Sequence, residues 1–409
     1  MHHVYLDNAA TSPLAPEVFE AMKPYFMEQY GNASSVHWYG QQAKAAVEEA
    51  RAQVARLLNA RPAEVIFTSG GTESDNEALF GVVEAARSGA SAGGNGGGNA
   101  IGNTLGNTRP AHIITTTIEH HAVLHSAQVL ERRGVAVTYL SVGADGIVNP
   151  ADLERAIRPE TVLISVMFAN NEIGTIQPVE EIGRIARARG ICFHTDAVQA
   201  VGKIQVDVER SHLDLLSLSA HKFHGPKGTG AMYVRKGTNL APLIYGGHHE
   251  RDRRAGTENV PGIVGLGKAA ALAGASLAAG GADGARLAAL RDRLENGLLD
   301  RVPGTAVNGD RPRRVPGTAN LRFDGVDGGS LVIALDLQGI ACSAGSACSS
   351  GSATPSHVLT AIGLSADQAR SSVRFSLGHL TTTEDIEYTL EVLPRVVEES
   401  RKSRVDSQK

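Results

Sequence analysis

The chain is 409 residues long, which indicates two domains, because a single hydrophobic core seldom grows beyond about 250–300 residues. Its apolar content of 42% is sufficient to build such cores, and its net charge of -4 argues against nucleic acid as the main ligand. Three cysteines in so long a chain do not make a disulfide framework. The first residues, Met1–Asp7, lack the apolar segment of a signal peptide, and no apolar run reaches the roughly 18 residues that span a bilayer. We therefore expect a cytoplasmic protein that acts on a small molecule.

Apolar, β-prone runs alternate with helical patterns over the first two thirds of the chain. This alternation is typical of an α/β domain with a mostly parallel sheet flanked by helices. The predicted strands are Glu64–Thr68, His112–Thr116, Val162–Met167, Ile191–Thr195, Leu213–Leu218 and Gly230–Val234.

A long Ala/Leu-rich helical pattern follows over Leu266–Asp300, broken near Ala279–Gly284. Beyond it, strand-like Ala319–Phe323, helix-like Ser330–Leu337 and strand-like Ser372–Leu377 predict a smaller α+β unit. We predict a large domain over residues 15–262 and a small domain made of residues 1–14 with 263–409. Residues 88–109 are rich in Gly and Asn and predict a flexible surface insertion, without the Lys-Ser/Thr ending of a phosphate loop.

The predicted strand Glu64–Thr68 runs into Ser69-Gly-Gly-Thr-Glu-Ser-Asp-Asn76, which opens a helical pattern. Gly71 permits close backbone approach, Thr72 adds a hydroxyl, and a helix N-terminus offers unpaired N–H groups to a phosphate. Taken alone, the segment also fits an ordinary capped helix start. The sequence therefore suggests, but does not fix, an anion site.

Lys222 lies in Ser219-Ala-His-Lys222, directly after the predicted strand Leu213–Leu218. A lysine held at a strand end can bond the aldehyde of pyridoxal phosphate, and Ser219 and His221 would then reach the phosphate. Most lysines are solvated surface charges, so this interpretation depends on its neighbours.

Asp196 ends another predicted strand, in Phe193-His-Thr-Asp-Ala-Val-Gln199. A carboxylate facing a pyridine nitrogen raises the pKa of that nitrogen and makes the ring an electron sink, and Gln199 nearby can donate a hydrogen bond. Aspartates at strand ends also cap helices, so the cofactor role of Asp196 is supported only by its pairing with Lys222.

His120 follows the predicted strand His112–Thr116, again at the edge where open α/β sheets bind ligands. It can stack on a cofactor ring and relay protons. The alternative is a metal site built from His120, His121 and His125; adjacent histidines seldom converge, and no established metal motif accompanies them.

Ordered motifs across nearly the whole chain resemble the cysteine desulfurase family, fold-type I pyridoxal-phosphate enzymes also called class V aminotransferases. Besides the segments above, they are Val4–Thr11, Tyr30–His37, Asn170–Thr175, Arg253–Asn259 and Arg374–Gly378. The resemblance implies that pyridoxal 5'-phosphate is the cofactor and L-cysteine the substrate.

The most discriminating segment is Cys342-Ser-Ala-Gly-Ser-Ala-Cys348-Ser-Ser-Gly351, which resembles the active-cysteine loop of the nitrogen-fixation and iron-sulfur assembly members. By this resemblance Cys348 is the nucleophile that accepts sulfur as a persulfide while alanine is released, and Cys342 matches no catalytic position. The sulfur would pass to an acceptor such as an iron-sulfur scaffold. Ala344 and His248-His249 depart from the usual family pattern but remove no proposed catalytic group.

Three further roles follow from the resemblance alone. Asn171 would contact the cofactor ring and the substrate, and Arg374 would bind the substrate carboxylate. Thr257 would reach the cofactor phosphate of the other subunit, which implies a homodimer.

Two alternatives compete with this interpretation. The first is another enzyme of the same fold, such as an aminotransferase, selenocysteine lyase or kynureninase-like hydrolase, and Cys348 argues against it. The second is a sulfur-delivery or scaffold protein that has lost catalysis, and the intact Lys222, Asp196 and His120 argue against it.

Overall fold

The computed structural model describes residues 2–88, 109–344 and 354–407, so Cys348 and most of the predicted insertion lie outside the described residues. The described helices are α1 (Pro16–Met22), α2 (Pro24–Met27), α3 (Trp38–Leu58), α4 (Gly71–Ser88), α5 (His121–Arg132), α6 (Pro150–Ala156), α7 (Val179–Ala188), α8 (Val260–Ala278), α9 (Ala282–Arg301), α10 (Gly328–Asp336), α11 (His357–Ala361), α12 (Ala366–Arg370) and α13 (Thr383–Ser407). The described strands are β1 (Val4–Tyr5), β2 (Val65–Thr68), β3 (His112–Thr116), β4 (Ala136–Leu140), β5 (Thr161–Ser165), β6 (Cys192–Asp196), β7 (Leu215–Ser219), β8 (Gly230–Val234), β9 (Thr305–Val307), β10 (Thr318–Phe323), β11 (Ile340–Ala341), β12 (Ser343–Ala344) and β13 (Ser372–Ser376).

The large sheet contains seven strands in the order β2-β8-β7-β6-β5-β3-β4. All of its pairs are parallel except the two that β8 makes with β7 and β2. β8 is antiparallel because only ten residues, 220–229, separate it from β7, which is short for a crossover between parallel strands. The prediction of a mostly parallel sheet flanked by helices is confirmed, with β8 as the exception.

Strands β2, β3, β7 and β8 are buried along their whole length, as expected for a sheet covered on both faces. The parallel strands β3, β6 and β7 end at one edge. The predicted residues Asp196, His120 and Lys222 lie at this edge or on the segments that leave it, where open α/β sheets bind their ligands.

Helix α8 is long and apolar enough to cross a membrane by length and composition alone. Its apolar character has a simpler cause. Ile263, Leu266, Ala269 and Ala270 are buried in the same core cluster as residues of α3, and Gly267 lets the two helices approach so closely that a Cβ would meet Ala50 at 2.5 Å. The helix therefore serves as a core element, and the predicted break after it is confirmed where Gly280 and Gly281 adopt positive φ.

A second, antiparallel sheet has the order β12-β13-β10-β9, and β1 pairs in parallel with β11. Its core cluster combines Val4 and Leu6 from the N-terminus with residues from α9 onward, such as Leu294, Leu321 and Phe375. The start of the chain is thus packed against its last third. This arrangement carries the N-terminal segment Asp7–Thr11 across to the ends of β6 and β7. The exact domain boundaries stay a prediction.

Candidate active site

The segment after β2 forms a tight turn into α4. Gly70 has a φ of 153°, a conformation that L-residues rarely adopt, and a Cβ on Gly71 would meet the Val198 side chain at 2.6 Å. Helix α4 begins at Gly71, so its first N–H groups have no partner within the helix. Thr72 is exposed and lines a cavity of about 340 Å³ together with His120. The start of α4 is therefore accessible, and its use as an anion site stays a prediction.

Glu73 stabilises this turn from within. Its carboxylate accepts a hydrogen bond from the Ser69 N–H at 2.9 Å and pairs with Arg254 at 2.8 Å. Burial acts to raise the pKa of Glu73, but the bonds from Arg254 and Ser69 outweigh it and hold that pKa below its usual value. The pair attaches the segment that carries Thr257 to the start of α4. Thr257 itself is exposed, so its hydroxyl is accessible to another chain.

Lys222 stands in a 3-10 turn, Ala220–Lys222, that follows β7 without a gap. Its Nζ donates hydrogen bonds to the carbonyls of Ala9 and Ala10, at 2.7 and 2.8 Å. Ser219 is buried at the end of the strand, and His221 contacts the Thr11 hydroxyl at 3.1 Å. Burial, with Lys222 adding to it, lowers the pKa of His221 to about 4, so its ring is neutral at pH 7.

Asp196 ends β6 and is 5% exposed. Its Oδ1 accepts a hydrogen bond from the Val198 N–H at 2.9 Å. Burial raises the pKa of Asp196 to about 6, while the Val198 bond and the charge of Lys222 act in the opposite direction. The acid that was predicted to face a pyridine nitrogen is therefore buried beside the predicted lysine.

His120 caps α5, its Nδ1 accepting a hydrogen bond from the Ala122 N–H at 3.1 Å. Burial, together with the charge of Lys222, lowers the pKa of His120 to about 4. A ligand atom of His120 lies within 4.8 Å of those of Asp75 and Asp196. The structure thus brings His120, Asp196 and Lys222 together, and the ring is a neutral group that can accept or donate a proton.

The same three residues, Asp75, His120 and Asp196, also have the spacing of a metal site. The charge of Lys222 acts on both His120 and Asp196, which disfavours a second cation there. The other histidines contact each other through their rings and do not point at one common metal position. The His121 ring stacks on the His125 ring with 4.9 Å between centroids, and its centroid lies 4.8 Å from that of the His357 ring.

Gln199 is close to the site but already engaged. Its Nε2 donates to the Ala9 carbonyl at 2.9 Å, and its Oε1 accepts from Lys203 Nζ at 2.6 Å. Burial, with the charges of Lys222 and Arg374 adding to it, lowers the pKa of Lys203 to about 7. Gln199 therefore links the N-terminal segment to Lys203, and its direct contact with a cofactor stays a prediction.

Arg374 lies on β13, and its guanidinium is buried, since the residue is only 1% exposed. Its Nη1 donates to the Asn171 carbonyl at 2.8 Å and its Nη2 to Asp7 Oδ1 at 2.7 Å. Its Nε is buried without a hydrogen-bond partner among the described residues. A buried guanidinium with a spare donor is suited to bind an anion that enters the site.

The two ends of the stretch that contains Cys348 are both fixed at this site. On one side Ser343 pairs with Arg374 across the sheet, and its hydroxyl donates to Asp7 Oδ1 at 2.8 Å. Cys348 follows Ala344 by four positions in the sequence.

On the other side, Ser356 donates a hydrogen bond to Glu172, and His357 Nε2 contacts the Glu119 carbonyl oxygen at 2.9 Å. Burial raises the pKa of Glu172 to about 7. Glu119 immediately precedes His120, and Glu172 immediately follows Asn171. The chain therefore leaves and returns beside the predicted substrate-binding residues.

Four residues of the site were missed by the sequence reasoning. Asp7 and Asp75 stand inside the motifs Val4–Thr11 and Ser69–Asn76, and Glu119 directly precedes His120, but nothing in the sequence marks their side chains as partners of the predicted groups. Lys203 gave no signal beyond its spacing of four residues from Gln199, which places both on one turn.

Comparison with known proteins explains this arrangement. The family profile described as Aminotransferase class-V matches residues 4–94 and 90–389. The chain belongs to this family. A protein of Dictyoglomus turgidum named "Cysteine desulfurase IscS" is 49% identical over 398 residues, covering 97% of this chain and 95% of the relative. A protein of Methanosarcina thermophila with the same name is 50% identical over 398 residues, covering 97% of this chain and 93% of the relative.

Comparison with solved structures agrees with the sequence comparison. One described as "NIFS-LIKE PROTEIN" superposes with a TM-score of 0.87 at 36% identity, covering 97% of this chain and all of the other. Another, "SspA in complex with cysteine", has a TM-score of 0.77 at 36% identity and covers 93% of this chain and all of the other. The predicted fold-type I architecture is confirmed.

The class-V family uses pyridoxal 5'-phosphate, and the donor set fits this cofactor. A phosphate needs the N–H groups at the start of α4 and nearby hydroxyls, an aldehyde needs the amine of Lys222, and a pyridine nitrogen needs a carboxylate such as that of Asp196. A Cβ on Gly71 would clash with the Val198 side chain, so the first position of α4 requires glycine. All of these groups lie on segments that leave one edge of the large sheet.

Proposed function

We infer that the protein is a pyridoxal-phosphate-dependent cysteine desulfurase, which converts L-cysteine to L-alanine and takes the sulfur as a persulfide. One observation carries this conclusion: the described site joins Lys222, Asp196, His120 and Arg374 in a chain about half identical, over 97% of its length, to proteins named cysteine desulfurase. When bound, the cofactor withdraws electrons from the substrate Cα.

The residues of this chain divide the work between them. Arg374 binds the substrate carboxylate, since its guanidinium is already oriented by Asp7 and the Asn171 carbonyl. Lys222 removes the proton from the substrate Cα and returns one later, because its Nζ is fixed at the strand end beside Asp196. His120, whose Nδ1 accepts the Ala122 N–H, is neutral at pH 7 and can pass a proton through its imidazole ring.

Cys348 completes the reaction as the nucleophile. Its thiolate attacks the substrate sulfur, an S–S bond forms, and the bond between that sulfur and the substrate Cβ breaks. The remaining three-carbon unit gains protons and leaves as alanine, so cysteine and the enzyme thiol yield alanine and an enzyme persulfide, without an external oxidant. Cys342 is a poor substitute, because burial raises the pKa of its thiol well above the usual value.

The reaction also defines the simplest test. The purified, cofactor-loaded protein should release alanine from L-cysteine, and sulfide should appear when a reducing thiol is added. Pyruvate and ammonia instead of alanine would identify an elimination enzyme. Transfer of the amino group to a keto acid would identify an aminotransferase.

We also propose that the protein works as a homodimer. Several apolar side chains between residues 26 and 38 are strongly exposed: Phe26 at 59%, Met27 at 82%, Tyr30 at 65% and Trp38 at 63%. Exposed apolar groups of this number favour a protein interface. Exposed Thr257 would then reach the phosphate in the partner's site. Sedimentation should give a dimer, and Thr257→Ala should weaken cofactor retention; a monomer that holds the cofactor fully would exclude the proposal.

The destination of the sulfur is a further proposal. We propose that the persulfide is handed in the cytoplasm to an acceptor protein, such as an iron-sulfur scaffold. The chemistry supports a protein acceptor, because a persulfide is transferred by attack of another thiolate on its outer sulfur. Trapping a mixed disulfide through Cys348 in a cell extract and identifying its partner tests this; an acceptor that is only a small thiol would refute it.

A further inference from the structure

Three carboxyl groups are buried around the sheet edge that carries Lys222. Asp75 is 1% exposed, Asp196 is 5% exposed and Glu119 is fully buried. Carboxyl oxygens of Asp75 and Asp196 lie within 4.8 Å of each other. Two carboxylates this close in a buried site cannot both stay ionised, because each raises the cost of charging the other.

The surroundings of Asp75 and Asp196 are unequal. Asp196 accepts the Val198 N–H and lies in the field of Lys222, both of which stabilise a negative charge. Asp75 Oδ1 has no hydrogen-bond partner among the described residues. A further ionisable neighbour of Asp75 Oδ1 is His194, whose Nε2 lies at 3.6 Å.

His194 does not supply a charge to Asp75. Its ring is fully buried between two hydroxyls, with Ser165 Oγ at 2.9 Å from Nδ1 and Ser217 Oγ at 3.0 Å from Nε2. Burial lowers the pKa of His194 to about 3, so the imidazole is neutral. Asp75 therefore has a neutral neighbour where Asp196 has a cation.

The groups on the remaining elements do not change this balance. Glu119, on the segment after β3, adds a further acid, and burial raises its pKa to about 8. His120, at the start of α5, is neutral at pH 7. Lys222 is the cation that faces this cluster, and its charge acts on Asp196.

We propose that Asp75 carries a proton and that Asp196 carries the negative charge, so that Asp75 is a positioning residue which keeps Asp196 ionised opposite the cofactor's pyridine nitrogen. The proposal extends the proposed function and rests on that placement of the cofactor. Burial and the neighbouring Asp196 raise the pKa of Asp75 well above its usual range and outweigh a hydrogen bond with Ser217, which acts to lower that pKa, while Glu119 raises it further.

The proposal predicts a specific pattern of substitutions. Asparagine has the shape and neutrality of a protonated aspartate, so Asp75→Asn should bind pyridoxal 5'-phosphate within about threefold of the parent. Leucine fills the same space but has no polar atom, so Asp75→Leu should bind it at least about tenfold more weakly. Glu77→Gln is the matched control. Glu77 lies on the same helix as Asp75 and is likewise 1% exposed, but it stands two positions further along and therefore on the opposite face of the helix.

Two measurements test this pattern. The first is the dissociation constant of each variant for pyridoxal 5'-phosphate, together with a pH titration of the visible absorbance of the loaded protein. The midpoint of this titration should equal that of the parent in Asp75→Asn and should shift in Asp75→Leu. The second is infrared spectroscopy of the cofactor-free protein at pH 7. There, the carbonyl band of a protonated carboxylic acid should decrease on Asp75→Asn.

The outcomes are separable. An Asp75→Asn variant as defective as Asp75→Leu would mean that Asp75 acts as a charged carboxylate, and parent-like binding by Asp75→Leu would mean that it has no role; either result overturns the proposal. If Asp75→Leu fails to fold, the infrared difference for Asp75→Asn still decides. That signal needs neither cysteine nor turnover, so its failure is distinct from failure of the desulfurase assignment.

Discussion

Replacing Arg374 with glutamine tests how the substrate is held. The guanidinium is buried, and its Nε is free of partners among the described residues while Asp7 and the Asn171 carbonyl hold the other nitrogens. Arg374→Gln removes charged hydrogen bonds to the substrate carboxylate, each worth about 1.5–3 kcal/mol. The loss of one such hydrogen bond lowers kcat/KM roughly 10- to 150-fold.

The assay is alanine formation at varied L-cysteine concentration, and we expect most of the change in KM. Arg374→Gln also leaves Asp7 without its cation, so the double variant Asp7→Asn with Arg374→Gln separates lost binding from lost stability. Arg322→Gln is the matched control, because Arg322 lies on the neighbouring strand β10 and pairs with the exposed Asp324. An Arg374→Gln enzyme with parent KM and kcat/KM would refute the carboxylate-binding role.

Further substitutions test the remaining roles. Lys222→Ala should abolish alanine formation and leave no borohydride-reducible link between protein and cofactor; a reducible link with normal activity would exclude Lys222. Cys342→Ala and Cys192→Ala should keep near-parent activity, since burial raises the pKa of both thiols and leaves them protonated; loss of alanine formation in either would assign it a role. Burial raises the pKa of Glu119 from 4.5 to about 8, so the folded state binds a proton that the unfolded state has lost, and stability falls by about 1.4 kcal/mol per pH unit between those values. Urea denaturation at pH 6 and pH 8 should therefore show that the free energy of unfolding of Glu119→Gln rises relative to that of the parent as the pH rises. The same difference in free energy of unfolding at both pH values would contradict this.

The sequence predicted most of the large sheet because its strands are continuous apolar runs between turn residues. His112–Thr116 and Gly230–Val234 match the observed strands β3 and β8. Strand β4 was missed, since Ala136–Leu140 is a half-buried edge strand with mixed character. The pattern of apolar residues also could not predict that β8 runs antiparallel, because the direction of this strand is set by the length of the connection from β7.

Sequence reasoning predicted residues that the structure brings together where each of them follows a strand, while their roles stay predictions. Lys222, Asp196 and His120 each follow a predicted strand, and the parallel arrangement alone brings them to one edge. The residues that support them could not be predicted in this way. Asp7 reaches Arg374 only because the first strand packs against the last third of the chain, and Asp75 faces Asp196 only through the docking of α4 on the sheet. Such contacts depend on tertiary structure.

The central claim is that sulfur leaves cysteine as a persulfide on Cys348. The most direct measurement is a single turnover of the cofactor-loaded protein with cysteine carrying labelled sulfur, followed by peptide mapping under non-reducing conditions. The account predicts one labelled sulfur on the peptide that contains Cys348, with an equal amount of alanine, and neither product from Cys348→Ala. Label on Cys342 or Cys192, or parent-level alanine from Cys348→Ala, would contradict it.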